Sequence, residues 1–317
     1  MPKELTHWWL AAQAQEQLPL DSPTRQLLTA EQPAYLSGAV LPDTLLHLVW
    51  GPWSKTALRL AREFHEPPGN SYAPLIQFIE QQSPGNLAPA LNACLLGVAA
   101  HIEADIAFHP IICALSNNDI GQHYLNETRL DLWLLQKKRK PPVWRLKECL
   151  SDKVEDLLLT VAAGLFDPQK ELPPAVFRQA LQLHSSIQSL YGSPGWQLLA
   201  GFLALLPIPV LRSRHKLFYP FNWRQGGHHP WPEHWLNPAT GEQLHETMET
   251  ITKKAVERIS KLLLRVDTAG LLNSFREQPG ENLITGVSAT LSDSKSNPPQ
   301  SPFAKGEALK SPLLKGG

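Results

Sequence analysis

Apolar side chains recur at the three-to-four-residue spacing of an α-helix through residues 54–64, 72–81, 88–108, 119–136, 143–166, 174–190 and 243–264. Strict apolar–polar alternation with β-branched residues is nearly missing, so strands are not expected. Ser22-Pro23 has the form of a helix N-cap followed by a first-turn proline. Proline and glycine clusters at Pro67-Pro68-Gly69, Pro141-Pro142 and Pro173-Pro174 separate the periodic stretches. The pattern predicts an all-α, multi-helix bundle. Residues 1–142 read as its first half, 143–287 as a second half completing the same domain, and 288–317 as a low-complexity tail.

Several stretches stand outside the regular pattern. Residues 195–211, "GWQLLAGFLALLPIPVL", form the longest apolar run, slightly short for a bilayer span and broken by Pro207 and Pro209. A buried helix ending at the prolines is expected, and no transmembrane segment. The patch from Trp8 to Ala12 is too short for a signal-peptide core. Residues 212–242 are rich in aromatics, His and Pro without a steady period and read as a long ordered loop, which covers a cavity, binds metal or is simply solvated at His228, His229 and His234. Within it "WLNPATGE" suits a turn before the next helix. In the tail, "SPFAKGE" is echoed by "SPLLKGG", with little apolar material to pack.

Composition narrows the function. The chain has 317 residues, 43% hydrophobic, with 29 Lys+Arg balancing 29 Asp+Glu. No overall basic field advertises nucleic acid as a partner. Cys94, Cys113 and Cys149 are odd in number and lack metal-finger spacing. Free thiols in a reducing, cytoplasmic setting are expected.

Candidate chemistry lies in residues 96–110, "LGVAAHIEADIAFHP". His101, Asp105 and His109 are four apart and share one side of a helix that is otherwise apolar nearly all round. His123 and Glu127 repeat the spacing on the next helix, with Asp131 four further on. A carboxylate in such surroundings must be paired or bind a cation. Imidazoles and carboxylates converging from neighbouring helices are how bundle proteins hold Zn²⁺. The His109-Pro110 pair is expected to end its helix, with the proline aiming the imidazole inward.

With "TH" at Thr6-His7, "GAVLPD" ending at Asp43 and "FHE" at His65, the ordered series resembles the zinc-dependent phospholipase C family, relatives of the S1/P1 nucleases. The resemblance implies that Asp43, His65, His101 and Asp105 surround one zinc and that His109, His123 and Glu127 hold a second. It also implies that Asp105 bridges toward a third site containing His7. In secreted relatives that third ion also uses a processed N-terminal Trp. Here Trp8 and Trp9 follow the His, and loss of Met1 would offer the amine of Pro2 instead. His47, one turn after Asp43, competes with His65 for a ligand role or supports Asp43 from behind; His65 is preferred. Glu66 and Asp131 read as supporting or surface carboxylates, Asp131 orienting a ligating His.

Zinc lowers the pKa of a coordinated water toward ~7 and neutralises phosphoryl charge, so phosphodiester hydrolysis is the expected reaction. Asp43 or Glu127 would accept the proton of the attacking water. The short spacer before a final Glu resembles the phospholipase branch, which implies a phospholipid or another small phosphodiester as substrate. Trp8, Trp9, Trp50 and Trp53 either line a lipid-facing entrance, giving peripheral membrane contact, or fill the core. The alternatives are a non-catalytic zinc-stabilised scaffold or lipid-binding protein, and an S1/P1-like nuclease.

Overall fold

The computed structural model describes residues 3–66, 69–82, 87–227 and 230–287. The tail from 288 and His228 and His229 lie outside the described residues, as do Met1 and Pro2. The chain begins with α1 (Glu4–Glu16), α2 (Pro23–Ala30) and α3 (Gln32–Gly38), then a 3-10 turn at Leu41–His47. α4 (Ser54–His65) and α5 (Ala73–Glu80) lead to α6 (Pro89–Ser116) and α7 (Ile120–Gln136). The second half contributes α8 (Asp152–Phe166), α9 (Pro174–Leu190), α10 (Pro194–Ala204), α11 (Pro209–Arg214), α12 (Met248–Ala269) and α13 (Leu271–Arg276). The expected all-α class is observed. Strand is confined, among the described residues, to the antiparallel pair Trp235–Leu236 and Gln243–Leu244.

α6 is the axis of the bundle. Apart from His101, Glu103, Asp105 and His109 its side chains are apolar nearly all round, so it must be enclosed. α1, α3, α7, α8 and α12 all pack against it. By length and composition it would suffice to cross a membrane, yet 78% of its most apolar window lies inside the protein. Two glycines allow α3 to come closest: a Cβ on Gly97 would lie 2.1 Å from the Tyr35 carbonyl oxygen, and one on Gly38 2.2 Å from that of Cys94. That approach fixes the 3-10 turn which follows α3. At the far end of α6, Asn117 and Asn118 take φ of 45° and 60°. Asn tolerates this left-handed conformation, and the reversal lays α7 back along α6.

Four expectations need correction. The helix at 88–108 does not stop at His109-Pro110 but runs through Pro110 to Ser116; burial on every side outweighs the one backbone bond that proline removes. The stretch 143–166 is a 3-10 turn at Leu146–Glu148 followed by α8, whose N-cap Ser151 accepts from Val154 N. The helix expected from 243 begins at Met248, because Gln243 and Leu244 pair with the strand before them. The run 195–211 ends its helix at Ala204, short of the prolines, but α10 buries only Gln197 and Ala200.

The described residues of 212–242 form short pieces: the end of α11, 3-10 turns at His215–Leu217 and Trp223–Gln225, then the hairpin. "NPATG" is its turn, with Asn237 Oδ1 accepting from Ala239 N at 2.9 Å and Gly241 at φ 71°. Near the start of the chain, Ser22 caps α2 by accepting from Arg25 N at 3.1 Å and donates to Asp267 Oδ2 on α12 at 2.6 Å. Ser22→Ala is expected to cost about 1–2 kcal/mol in a urea melt and to leave metal content unchanged, since neither partner approaches the metal ligands proposed below.

Candidate metal centre

His101, Asp105 and His109 lie along one side of α6 and are fully buried. α1 brings His7, the 3-10 turn brings Asp43, and the last residue of α4 is His65. Asp43 Oδ1 is 3.5 Å from His65 Nε2 and 3.8 Å from His101 Nε2. Asp105 Oδ2 is 3.2 Å from His101 Nε2 and 3.9 Å from His65 Nε2. Asp105 Oδ1 faces the other way, toward His7 Nε2 at 3.6 Å. On α7, His123 Nε2 and Glu127 Oε1 are 2.7 Å apart, and together with His109 they form a third group of potential ligand atoms.

The imidazoles are held from behind. His65 Nδ1 donates to the Ala61 carbonyl at 2.6 Å, His101 Nδ1 to that of Ala39 at 3.0 Å, and His109 Nδ1 to that of Leu283 at 2.7 Å. A carbonyl can only accept, so each Nδ1 carries the hydrogen and a neutral ring turns a bare Nε2 inward. This is the support that metal-ligating histidines receive. Burial pushes the pKa of His7 well below its usual value and that of His109 down to about 3. Burial acts the same way on His101, but Asp105 and Asp43 outweigh it and its pKa rises. Burial alone would raise the pKa of Asp105, yet His101 and His109 hold it well below the carboxylate range.

Most of the inward atoms lack a hydrogen bond. His7 Nδ1 and Nε2, Asp43 Oδ1, the Nε2 of His65, His101 and His109, and both oxygens of Asp105 are buried without a hydrogen bond. So many buried lone pairs around one carboxylate are costly, and a cation among them would offset that cost. Their separations bracket the ~3.3–3.4 Å edge that a tetrahedron of ligands about 2.0–2.1 Å from Zn²⁺ would have. Nitrogen and carboxylate oxygen are zinc donors, so the residues present fit the ion.

Ring geometry divides the cluster further. His7 and His101 stack at 4.1 Å with planes 11° apart. An imidazole lone pair lies in its ring plane, so stacked rings aim side by side and do not meet on one ion. Asp105 presents a separate oxygen to each.

A second polar group, Glu4, His47 and His184, has ligand-like spacing but fails the same tests. Its two rings stack at 4.1 Å and 13°. All four ring nitrogens have partners: His184 meets Thr44 Oγ1 at 3.1 Å and Glu4 Oε1 at 3.3 Å, and His47 meets the Asp43 carbonyl at 3.0 Å and Tyr191 Oη at 3.4 Å. It is a hydrogen-bonded brace behind Asp43. His47 is therefore placed apart from His65, which sits with Asp43 and His101.

Asp131 does not touch a ligating His. Oδ1 accepts from the backbone N of Thr6 at 3.0 Å and from its hydroxyl, and Oδ2 accepts from Tyr219 Oη at 2.6 Å. It clamps the chain one residue before His7. Burial raises its pKa to about 7, against the pull of Thr6 and Tyr219. Asp131→Asn removes an acceptor that three donors share and is expected to weaken metal binding by roughly 10–100-fold, read by competition with a chromogenic chelator. Glu66 is half-buried and belongs to none of the ligand groups. Trp8 and Trp9 fill the core, while Trp50 and Trp53 are exposed. His234 lies against His245, outside the ligand groups.

Supports that the sequence did not reveal come from remote segments, above all Leu283. It stands in "NLITG", a turn of the same form as "NPATG": Asn282 Oδ1 accepts from Ile284 N at 2.9 Å and Gly286 has φ 66°. Recurrence of N-x-x-T-G was the available signal.

Fold and site together define a helical protein built around a buried cluster of His, Asp and Glu side chains that could hold metal. The chain belongs to the zinc dependent phospholipase C family, whose profile matches residues 6–171. Neither curated proteins nor solved structures gave a match.

Proposed function

We propose that this protein is a zinc-dependent phosphodiester hydrolase that cleaves phospholipid head groups or a similar small phosphodiester. The observation that carries the reading is the set of orphaned, inward-facing nitrogen and oxygen atoms around Asp105, in a family of zinc-dependent phospholipases C.

In this reading Asp43, His65, His101 and Asp105 hold one ion, and His109, His123 and Glu127 a second. His7 and Oδ1 of Asp105 begin a third site; Pro2, the further ligand that the resemblance offers, lies outside the described residues. Zinc supplies the activation of water and the neutralisation of phosphoryl charge. Asp43 Oδ1 faces His65 and His101 in the first ligand group, and we assign the other oxygen of that carboxylate the proton of the attacking water. Glu127 sits against His123 at 2.7 Å and is assigned to holding metal. The brace of Glu4, His47 and His184 keeps the Asp43 turn in place. Three unpaired cysteines support a reducing compartment.

The test uses the full chain. Elemental analysis is expected to give at least two zinc ions per chain, because the ligand groups occupy separate helices. A chelator should abolish hydrolysis of phosphatidylcholine and of a soluble chromogenic phosphodiester, and added zinc should restore it. Zinc-loaded protein with no turnover on either substrate would make it a scaffold, and preference for single-stranded nucleic acid would make it a nuclease.

A further inference from the structure

α10 is built inside out. Its one strongly polar side chain, Gln197, points into the protein, where Nε2 donates to the carbonyls of Tyr191 at 3.5 Å and Pro220 at 3.4 Å. Trp196, Leu198, Leu199, Phe202, Leu205 and Leu206 point out, with Leu198 63%, Phe202 64% and Leu205 76% exposed. A helix on the surface of a water-soluble bundle normally shows the reverse. An apolar patch of this kind marks an interaction site.

Charge identifies the kind of partner. Residues 172–232 contain no Asp or Glu, in a chain whose acidic and basic residues balance overall. Arg212, Arg214, Lys216 and Arg224 follow α10 within that span, and none of them makes an ion pair among the described residues. Arg178, the remaining cation of the span, is engaged by Glu155 and Asp156. A second copy meeting the same face about a two-fold axis would bring these cations together, with no acidic residue from the span to answer them. An anionic, apolar-centred surface answers both features.

We propose that α10 and the basic segment after it form a docking surface for an anionic phospholipid bilayer, with α10 lying in the interface. At 11 residues α10 is too short to span. Its Trp, Leu and Phe side chains enter the acyl boundary while the Arg and Lys side chains meet head-group phosphates. The surface is strapped to the site: Thr128 Oγ1 on α7 donates to the Lys216 carbonyl at 2.9 Å, and Gly121, at the start of α7, lets Ser213 of α11 come close. α7 carries His123 and Glu127. The proposal deepens the phospholipase reading, because it names where the lipid is presented.

The experiment is flotation of the full chain with vesicles of phosphatidylcholine alone or mixed with phosphatidylglycerol. The unaltered chain is expected to float with the mixed vesicles and far less with phosphatidylcholine. Changing Leu198, Phe202 and Leu205 together to Ser should lower vesicle affinity by about tenfold or more. Melting temperature and the rate on a soluble phosphodiester should not change. Arg212→Gln with Lys216→Gln should remove the preference for the anionic vesicle, by about fivefold per charge. Failure of the unaltered chain to float, or equal flotation of the triple Ser variant, would overturn the proposal. So would a dimer that the triple Ser variant converts to monomer with no change in flotation. Patch-dependent flotation without hydrolysis of any phosphodiester would leave docking standing and remove the phospholipase reading; hydrolysis of the soluble substrate without flotation would do the opposite.

Discussion

Asp105→Asn is expected to empty the metal centre. The carboxylate lies within 3.9 Å of nitrogens of His7, His65, His101 and His109, and both its oxygens lack a hydrogen-bond partner. The substitution keeps the volume, removes the negative charge, and replaces one donor oxygen with an amide nitrogen that coordinates poorly. Zinc content should fall below one per chain, and phosphodiester hydrolysis by more than the roughly 100-fold seen for groups that only support a ligand. The melting temperature should fall with it, because binding energy to a preformed site is also folding energy. In excess chelator the gap between the variant and the unaltered chain should close, since neither then holds metal. A gap that persists in chelator would show that Asp105 serves packing; full zinc content in the variant would show that the cluster does not converge on it.

How much of this centre was legible in the sequence depended on how far apart its parts lie along the chain. His101, Asp105, His109, His123 and Glu127 were visible because an α-helix repeats every four residues or so, and that spacing places side chains on one face. His7, Asp43 and His65 have no such periodicity. They are reached by resemblance to the family, and the fold brings His7 and His65 to the Asp105 carboxylate and Asp43 to His65 and His101. The hydrogen bonds from behind were invisible, because their acceptors are backbone carbonyls at Ala39, Ala61 and Leu283, and a carbonyl leaves no mark on residue identity.

Two departures of the structure from the sequence pattern share one physical cause. Local composition predicts a helix end at Pro110 and a buried helix over 195–211. Tertiary burial carried α6 through its proline. Nothing in the apolar run shows which face of α10 meets the core, and a single polar side chain, Gln197, decides it. Glu103 is a similar case. It sits in the apolar helix beside the ligands, yet accepts from Tyr72 Oη at 2.6 Å and pairs with Arg258, far along the chain on α12. Its buried charge is answered by a partner that sequence spacing could not point to.

The centre also depends on a contact with no polar group in it. Gly97→Ala is expected to destabilise the fold and loosen zinc together. On an isolated helix the change would help by about 1 kcal/mol, since glycine is the poorer helix former. Here the new methyl would meet the Tyr35 carbonyl oxygen at 2.1 Å, the Ala39 nitrogen at 2.8 Å and the Gly38 carbonyl carbon at 2.9 Å. All three are backbone atoms, so no side chain can swing aside and α3 must move away from α6. Overpacking of this kind costs about 1–3 kcal/mol, and against rigid backbone the upper end is expected, which outweighs the helix gain. The displaced segment includes Ala39, whose carbonyl holds His101, and leads into the turn carrying Asp43, so ligands from both sides of the first zinc lose register. The control is Gly201→Ala on α10, where a Cβ meets nothing within 4 Å; it should be neutral or stabilising by up to about 1 kcal/mol. Chemical denaturation and zinc titration of the two variants are the measurement. A Gly97→Ala protein with unaltered stability and zinc affinity would mean that α3 and α6 do not set the position of Asp43.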